Sequence, residues 1–437
     1  MTTASSAEQF AGFTHGMGIG GWLTNYKRFN VLPDRWKFPL TVGDFEHFDS
    51  YITEADVARI ASYGMDHIRL GFDQIVLEES PYRYRDRIFA RIADFAGWCE
   101  KYGLNVVLNL HKAVGNYCDI SEPVSLLDDA ELKERFIALW VEFERRFHDR
   151  PAVAFELMNE VRNVDPELWN ELAERTVKAL RELNPSRKII VGSTCWNSPH
   201  TLKDLRLFDD ANIIYTFHTY TPFEFTHQRG VLQAPPLFYN RNMEYPAGIG
   251  KYREYRETVG QEIGDYAQFE RMDKAYLRKA LEPAFEFVRR HPDKILWCGE
   301  FGTIRHCRLE YRENWMNDVI SLLISVRRMT ATGSAWWTTT GGRFSVPVCW
   351  RSSGDMFRDT GNRCRSALFQ MDQLAVVIAE EFDLQADVRR AASGYRFAGR
   401  IRHTCGLRID SDVFHAVDGI GDQIRDPERR DRIAELQ

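Results

Sequence analysis

Short apolar runs recur along the chain, and amphipathic stretches of helical period separate them. Runs that are apolar on both faces fit parallel strands covered on either side, not the alternation of a half-exposed sheet. The strand candidates are 17–20, 67–70, 105–110, 153–159, 188–193, 213–220, 294–300 and 333–338. Helical stretches fall at about 54–63, 84–102, 127–149, 166–183, 200–209, 266–291, 309–330 and 364–382. Two of the units look alike: YGMDHIRL at 63–70 and YGLNVVLN at 102–109 each follow an amphipathic stretch. In the first stretch Val57, Ile60 and Ala61 share a face behind a cap at Thr53, and in the second Ile88, Ile92, Phe95 and Cys99 do. Gly64 and Gly103 stand where a helix ends on a left-handed residue.

Eight strands, each followed by a helix, predict an α/β chain folded as a (β/α)8 barrel. A doubly wound parallel sheet is the other arrangement that such alternation allows, but the glycines of GMGIGGW (16–22) lack the GxGxxG order. The connections 21–53, 221–265 and 339–363 are too long for turns, and all follow strands, which places them on the C-terminal face of a barrel. The aromatic, Pro- and Arg-rich 221–265 segment reads as an ordered lid. Residues 1–385 are expected to form the barrel and 386–437 an extension packed on it, with no structure assigned.

Composition narrows the function. Of 437 residues, 57 are basic and 63 acidic, so the formal charge is -6, and no basic block stands out; a nucleic-acid partner is not expected. No apolar run is long enough for a membrane span. The first residues, MTTASSAEQF, lack the basic and apolar regions of a secretory signal, which leads us to expect a cytoplasmic protein. The eight cysteines show no CxxC pair, so free thiols are expected, with no structural zinc and no cofactor. Aromatic residues make up 13% of the chain, which suits either a large core or a cleft in which sugar faces stack on rings.

Residues at the C-terminal ends of barrel strands face the active site. The second strand offers Arg69, the third His111, the fourth Asn159 and Glu160, the sixth His218 and Tyr220, the seventh Glu300, and the eighth Trp336 and Trp337. Glu160 and Glu300 then face each other across the barrel mouth. A carboxylate pair so placed can hydrolyse a glycoside, one attacking the anomeric carbon and the other protonating the leaving oxygen. Arg69 and Tyr220 would favour an ionised neighbour, and the Asn159 amide can bond a sugar 2-hydroxyl. Metal-dependent barrel hydrolysis would need His-x-His after the first strand, where Gly18-Ile19-Gly20 stands instead.

These strand ends resemble glycoside hydrolase family 5. The matching pieces are GIGGWL, HIRLGF, VVLNLH, FELMNE, FHTY, WCGEFG and AWW, in order over most of residues 16–340. The resemblance implies a retaining (β/α)8 hydrolase with Glu160 as acid/base and Glu300 as nucleophile. It further implies that Arg69, His111, Asn159, His218, Tyr220 and one tryptophan, Trp337 or alternatively Trp336, line the site of the terminal sugar.

Other residues are weaker candidates. Trp196 and Asn197, after the fifth strand, could form a platform for the leaving sugar. Lys112 and Asn116 read as a solvated loop, Glu156 as a buried structural carboxylate, and His227, His306, His403 and His415 as surface residues. The missing signal and the long loops lead us to expect exo action on short oligosaccharides, leaning towards a β-mannosidase for Man-β-1,4-GlcNAc. The alternatives are an intracellular β-glucosidase, an endo-β-1,4-glucanase or mannanase, and, in a different class, a transglycosylase or a sugar-binding pseudo-enzyme. The oligomeric state is not legible in the sequence.

Overall fold

The computed structural model describes residues 5–24, 40–117, 124–230, 234–325 and 329–334. Its eight main strands are β1 (His15–Leu23), β2 (His67–Asp73), β3 (Asn105–Lys112), β4 (Val153–Glu156), β5 (Ile189–Gly192), β6 (Ile213–Thr219), β7 (Leu296–Phe301) and β8 (Met329–Ser334). Each pairs in parallel with its neighbours in sequence, and β8 closes on β1, so the sheet is a barrel rather than the doubly wound alternative. The predicted 335–338, the 339–363 loop, the 364–382 helix and the 386–437 extension lie outside the described residues, as do Trp336, Trp337, His403 and His415.

The repeated unit folds as its pattern demands. Helix α1 (Glu54–Ser62) starts at Thr53, whose backbone N–H and hydroxyl both donate to Asp56 Oδ2 (2.9 and 2.7 Å). It buries Val57 and Ile60. Helix α2 (Asp86–Lys101) buries Ile88, Ile92, Phe95 and Cys99 together with Phe89 and Ala96. Gly64 and Gly103 have φ of +77° and +71°, the left-handed turn that carries each helix into the next strand.

Three helical expectations change. The 309–330 stretch is helical only over Leu309–Ile324, and Met329 and Thr330 already belong to β8. The 200–209 stretch is a 3-10 turn, Pro199–Asp204, that runs out extended at Leu205. Tyr215 fixes the extended part by accepting the Phe208 N–H through its hydroxyl (2.6 Å). The 266–291 stretch is broken into a 3-10 turn (Gly264–Gln268), a two-residue strand (Arg271–Met272) and the helices Lys274–Ala280 and Glu282–Arg290. Asp273 caps the first of these helices through the Ala275 N–H, and Pro283 opens the second. The described residues of the 221–265 connection carry helices at Phe223–Thr226, Ala234–Tyr239 and Ile249–Thr258.

Apolar packing falls into two clusters. The larger lies where helices cover the outside of the strands. The smaller joins Val107, Ala154, Ile190, Ile214, Ile295 and Trp297 to Phe10 and Phe13, which precede β1. These strand residues alternate with outward ones, so they form an inner layer near the strand starts, with Phe10 and Phe13 at its base.

Candidate active site

The inward positions change character along each strand. His67, Arg69 and Gly71 on β2, Val107, Asn109 and His111 on β3, and Ile214, Thr216 and His218 on β6 are two residues apart, and above the lowest row every one but Gly71 is polar. Seen from the base, an apolar layer gives way to a buried ionic one that opens at the C-terminal ends.

Arg69, 4% exposed, is the hub of the ionic layer. Its Nε donates to Glu156 Oε2 (2.6 Å) and its Nη2 to Glu156 Oε1 (2.9 Å), a two-point grip that fixes the guanidinium plane. Nη2 also reaches Asn159 Oδ1 (2.7 Å), and Nη1 reaches Glu300 Oε1 (2.6 Å). Glu156 is fully buried, which makes it the orienting partner of Arg69.

Glu300 owes its direction to a bulge. Cys298 pairs with Phe217, but Glu300 pairs with His218, so Gly299 is an extra residue in the β6–β7 ladder. Strict alternation after the inward Trp297 would turn Glu300 outward, and the extra residue turns it in. A side chain at 299 has no room, because a Cβ there would stand 2.5 Å from Thr216 Oγ1. Glu300 Oε2 accepts the Tyr220 phenol (2.7 Å) and lies 3.7 Å from His218 Nδ1. Burial opposes a charge here, but His218, Arg69 and Tyr220 outweigh it and hold the carboxyl well below its ordinary range.

Glu160 shows the opposite balance. Strand β4 stops at Glu156, three residues earlier than expected, and Asn159 and Glu160 follow on irregular backbone. The Glu160 carboxyl stands 2.8 Å from His218 Nδ1, through Oε1. Burial pushes it above the ordinary carboxylate range; His218 counteracts this, while Glu300 adds to the rise. The two acids are thus driven apart, one towards the ionised form and one towards the protonated form, the condition for an acid/base division of labour. One donor atom each from Glu160, His218 and Glu300 lies within 4.8 Å of the others, close enough to share a metal ion. Their contacts with one another, and Arg69 on Glu300, already occupy those atoms.

The remaining expected residues divide. His111 is buried with Nδ1 3.1 Å from Asn109 Oδ1, and burial lowers its pKa to about 3, so it is neutral near pH 7. Asn159 and Tyr220 join the ionic layer as described. Trp196 stands exposed beyond β5, but Asn197 does not form a platform with it: its side chain is fully buried and bonds to protein atoms. Lys112 and Asn116 are buried as well, not solvated. His227 is also buried, against expectation. It stacks on Phe223 (4.0 Å between centroids), packs edge-on against Tyr220 (4.9 Å), and is held neutral by burial, with a pKa of about 3. Its position next to a strand end on an aromatic-rich segment was the one signal available. A cavity of about 400 Å³ opens beside Tyr220, lined by Phe223, Arg256, Tyr266 and Tyr276 among others.

A closed parallel barrel with two opposed glutamates around a buried arginine defines a (β/α)8 hydrolase of the paired-carboxylate kind. The profile of the cellulase family, glycosyl hydrolase family 5, matches residues 34–341, and the chain belongs to that family. It is 37% identical to Endoglucanase C of Acetivibrio thermocellus over 318 residues, 71% of this chain and 88% of that protein. It is 30% identical to Cellodextrinase A of Ruminococcus flavefaciens over 311 residues, 70% of this chain and 80% of that protein. The crystal structure of endoglucanase Cel5A from Thermotoga maritima superposes with a TM-score of 0.57 at 26% identity, covering 78% of this chain and 95% of that one. Cel5A has also been solved with cellobiose and with mannotriose. The protein is therefore a glycoside hydrolase.

Proposed function

We propose that the protein is a retaining endo-β-1,4-glucanase that cuts β-1,4-glucan chains and cellodextrins. The observation that carries this reading is its likeness to an endoglucanase over 88% of the length of that relative. The same likeness favours the endo-acting alternative over the exo-acting β-mannosidase expected from the sequence.

In this reading Glu300 attacks the anomeric carbon as the bond to the leaving oxygen breaks, and the Glu160 proton passes to that oxygen. Water then displaces Glu300, giving a proton back to Glu160. Glu160 and Glu300 oxygens within 4.8 Å of each other support direct attack, since the inverting route needs about 6.5–9.5 Å between carboxyl groups to seat a water. Arg69 and Tyr220 keep Glu300 ionised, and Asn159, held by Arg69, faces the sugar 2-hydroxyl. His111, neutral, donates to or accepts from a hydroxyl without adding charge. Trp196 at the rim and the cavity beside Tyr220 offer stacking and room for further sugars.

A panel of nitrophenyl cellobioside, glucoside and mannoside, with cello- and manno-oligosaccharides, tests the proposal. We expect cleavage of the cellobioside and internal cuts in cellotetraose, with little release from either monosaccharide. Release from the mannoside alone would restore the β-mannosidase reading, and internal cuts confined to manno-oligosaccharides would make the enzyme a mannanase.

A further inference from the structure

We propose that Asn116 and Asn197 are positioning residues that grip the backbone on either side of Glu160 and so aim its carboxyl. The inference rests on the reading of Glu160 as the acid. Beyond Glu156 the ladder thins to the Leu157 N–H on Ile190 O (3.1 Å) and the Asn159 N–H on Leu110 O (2.9 Å), and the carbonyls of Asn159 and Glu160 fall outside it. Two side-chain amides take over. Asn197 Nδ2 donates to the Asn159 carbonyl (2.7 Å), and Asn116 Nδ2 donates to the Glu160 carbonyl (2.8 Å). Asn116 comes from the segment after β3 and Asn197 from the segment after β5, so neighbours on both sides supply the grip. Each amide is 1% exposed or less, where a lost partner is costly.

The Asn197 side of this grip is built at some expense. Cys195, Trp196 and Asn197 all have φ of 57°, three successive non-glycine residues in the left-handed region. The turn is tied to the acid's own segment, with the Trp196 N–H donating to Val161 O (2.9 Å). Asn197 Oδ1 accepts the Ser193 N–H (2.6 Å), which fixes the amide orientation. Gly192 leaves the space it fills, since a Cβ there would stand 2.1 Å from Asn197 Oδ1.

The same amide acts on His218. With Oδ1 assigned to Ser193, the atom facing His218 Nε2 at 3.4 Å is the donor nitrogen, so a bond from Asn197 needs the lone pair on Nε2 and leaves the His218 proton on Nδ1. That proton faces Glu160 Oε1 at 2.8 Å, and Oε2 is left as the oxygen that carries the transferable proton. Asn197 thus holds the acid through its backbone and through its hydrogen-bonding neighbour.

The test is leaving-group dependence. A dinitrophenyl cellobioside departs with little protonation and a phenyl cellobioside needs it, so a misaimed acid slows only the second. kcat/KM isolates the first chemical step. Asn116→Ala and Asn197→Gly, the latter keeping the left-handed turn, should lose about tenfold or more on the phenyl substrate and less than about threefold on the dinitrophenyl one. Asn116→Asp and Asn197→Asp, near in size but unable to donate to the carbonyls, should show the same bias and serve if the smaller variants fail to fold. Equal losses on both substrates, or no loss on either, would overturn the grip. Glu160→Gln is the control: if it too shows no bias, the assignment of the acid fails, and if it alone shows bias, only the grip fails.

Discussion

The floor and the mouth of this barrel are made from the same strands, a few residues apart, yet they obey opposite rules. At the floor, Val107, Ala154, Ile190, Ile214 and Trp297 pack with Phe10 and Phe13, and their worth is area removed from water. At the mouth, Arg69, Glu156 and Glu300 are almost as deeply buried but carry charge, with buried His218 and half-buried Glu160 beside them, and these groups are held in place by one another. A barrel is thus stabilised from below and made reactive from above, and damage to either layer should show in a different measurement.

Four substitutions test that separation. The largest effect belongs to Glu300→Gln, which should cut turnover by about 10³-fold or more while leaving the thermal midpoint within a few degrees; near-normal rates on an aryl cellobioside would remove Glu300 from the reaction. Arg69→Met should fall on both sides of the divide. It strands Glu156 as an unpaired buried charge, costing about 3–5 kcal/mol in a denaturant titration, and it also lowers turnover. If it lost activity with no loss of stability, the ionic layer would not be the mutually dependent unit described above. Phe13→Ala at the floor should cost about 3–5 kcal/mol of stability, with KM unchanged in whatever fraction stays folded; a changed KM would show that the layers are coupled.

The smallest effect concerns pH. Activity requires Glu300 ionised and Glu160 protonated, so kcat/KM should be bell-shaped, its acid limb below the ordinary carboxylate range and its alkaline limb above it. Tyr220→Phe removes a donor from Glu300, which weakens the charged form and raises its pKa. The acid limb should move up by about one to two pH units, a hydrogen bond to a charged group being worth roughly 1.5–3 kcal/mol. An unmoved acid limb would mean that another group sets it.

What the sequence reveals and what it hides follow the same divide. Apolar runs covered on both faces announce strands, and Gly64 and Gly103 announce the turns between helix and strand, because these depend on local pattern. Strand-end polar residues are legible for the same reason, since a charged group straight after a buried run needs an explanation. The broken helix at 266–291 is less so, because Asp273 and Pro283 compete with an apolar period that continues across them. Residues whose role comes from distant partners are not legible at all. Asn116 and His227 look like outlying polar residues, and Asn197 like part of a sugar platform, until the chain closes around them, and the early end of β4 shows only beside Leu110, whose carbonyl still accepts the Asn159 N–H.

The extra residue in β7 has a consequence for how such a site can be lost. The inward aim of Glu300 is a matter of parity: one residue more than the ladder needs lies between Cys298 and Glu300. Deleting Gly299 would restore regular alternation with Glu300 still opposite His218 and still inward, whereas a side chain at 299, which has no room beside Thr216, would favour a regular strand that turns the carboxylate to the helix side of the sheet. The site can thus be silenced at a position that carries no functional group, by a substitution that only changes the count of residues in the ladder.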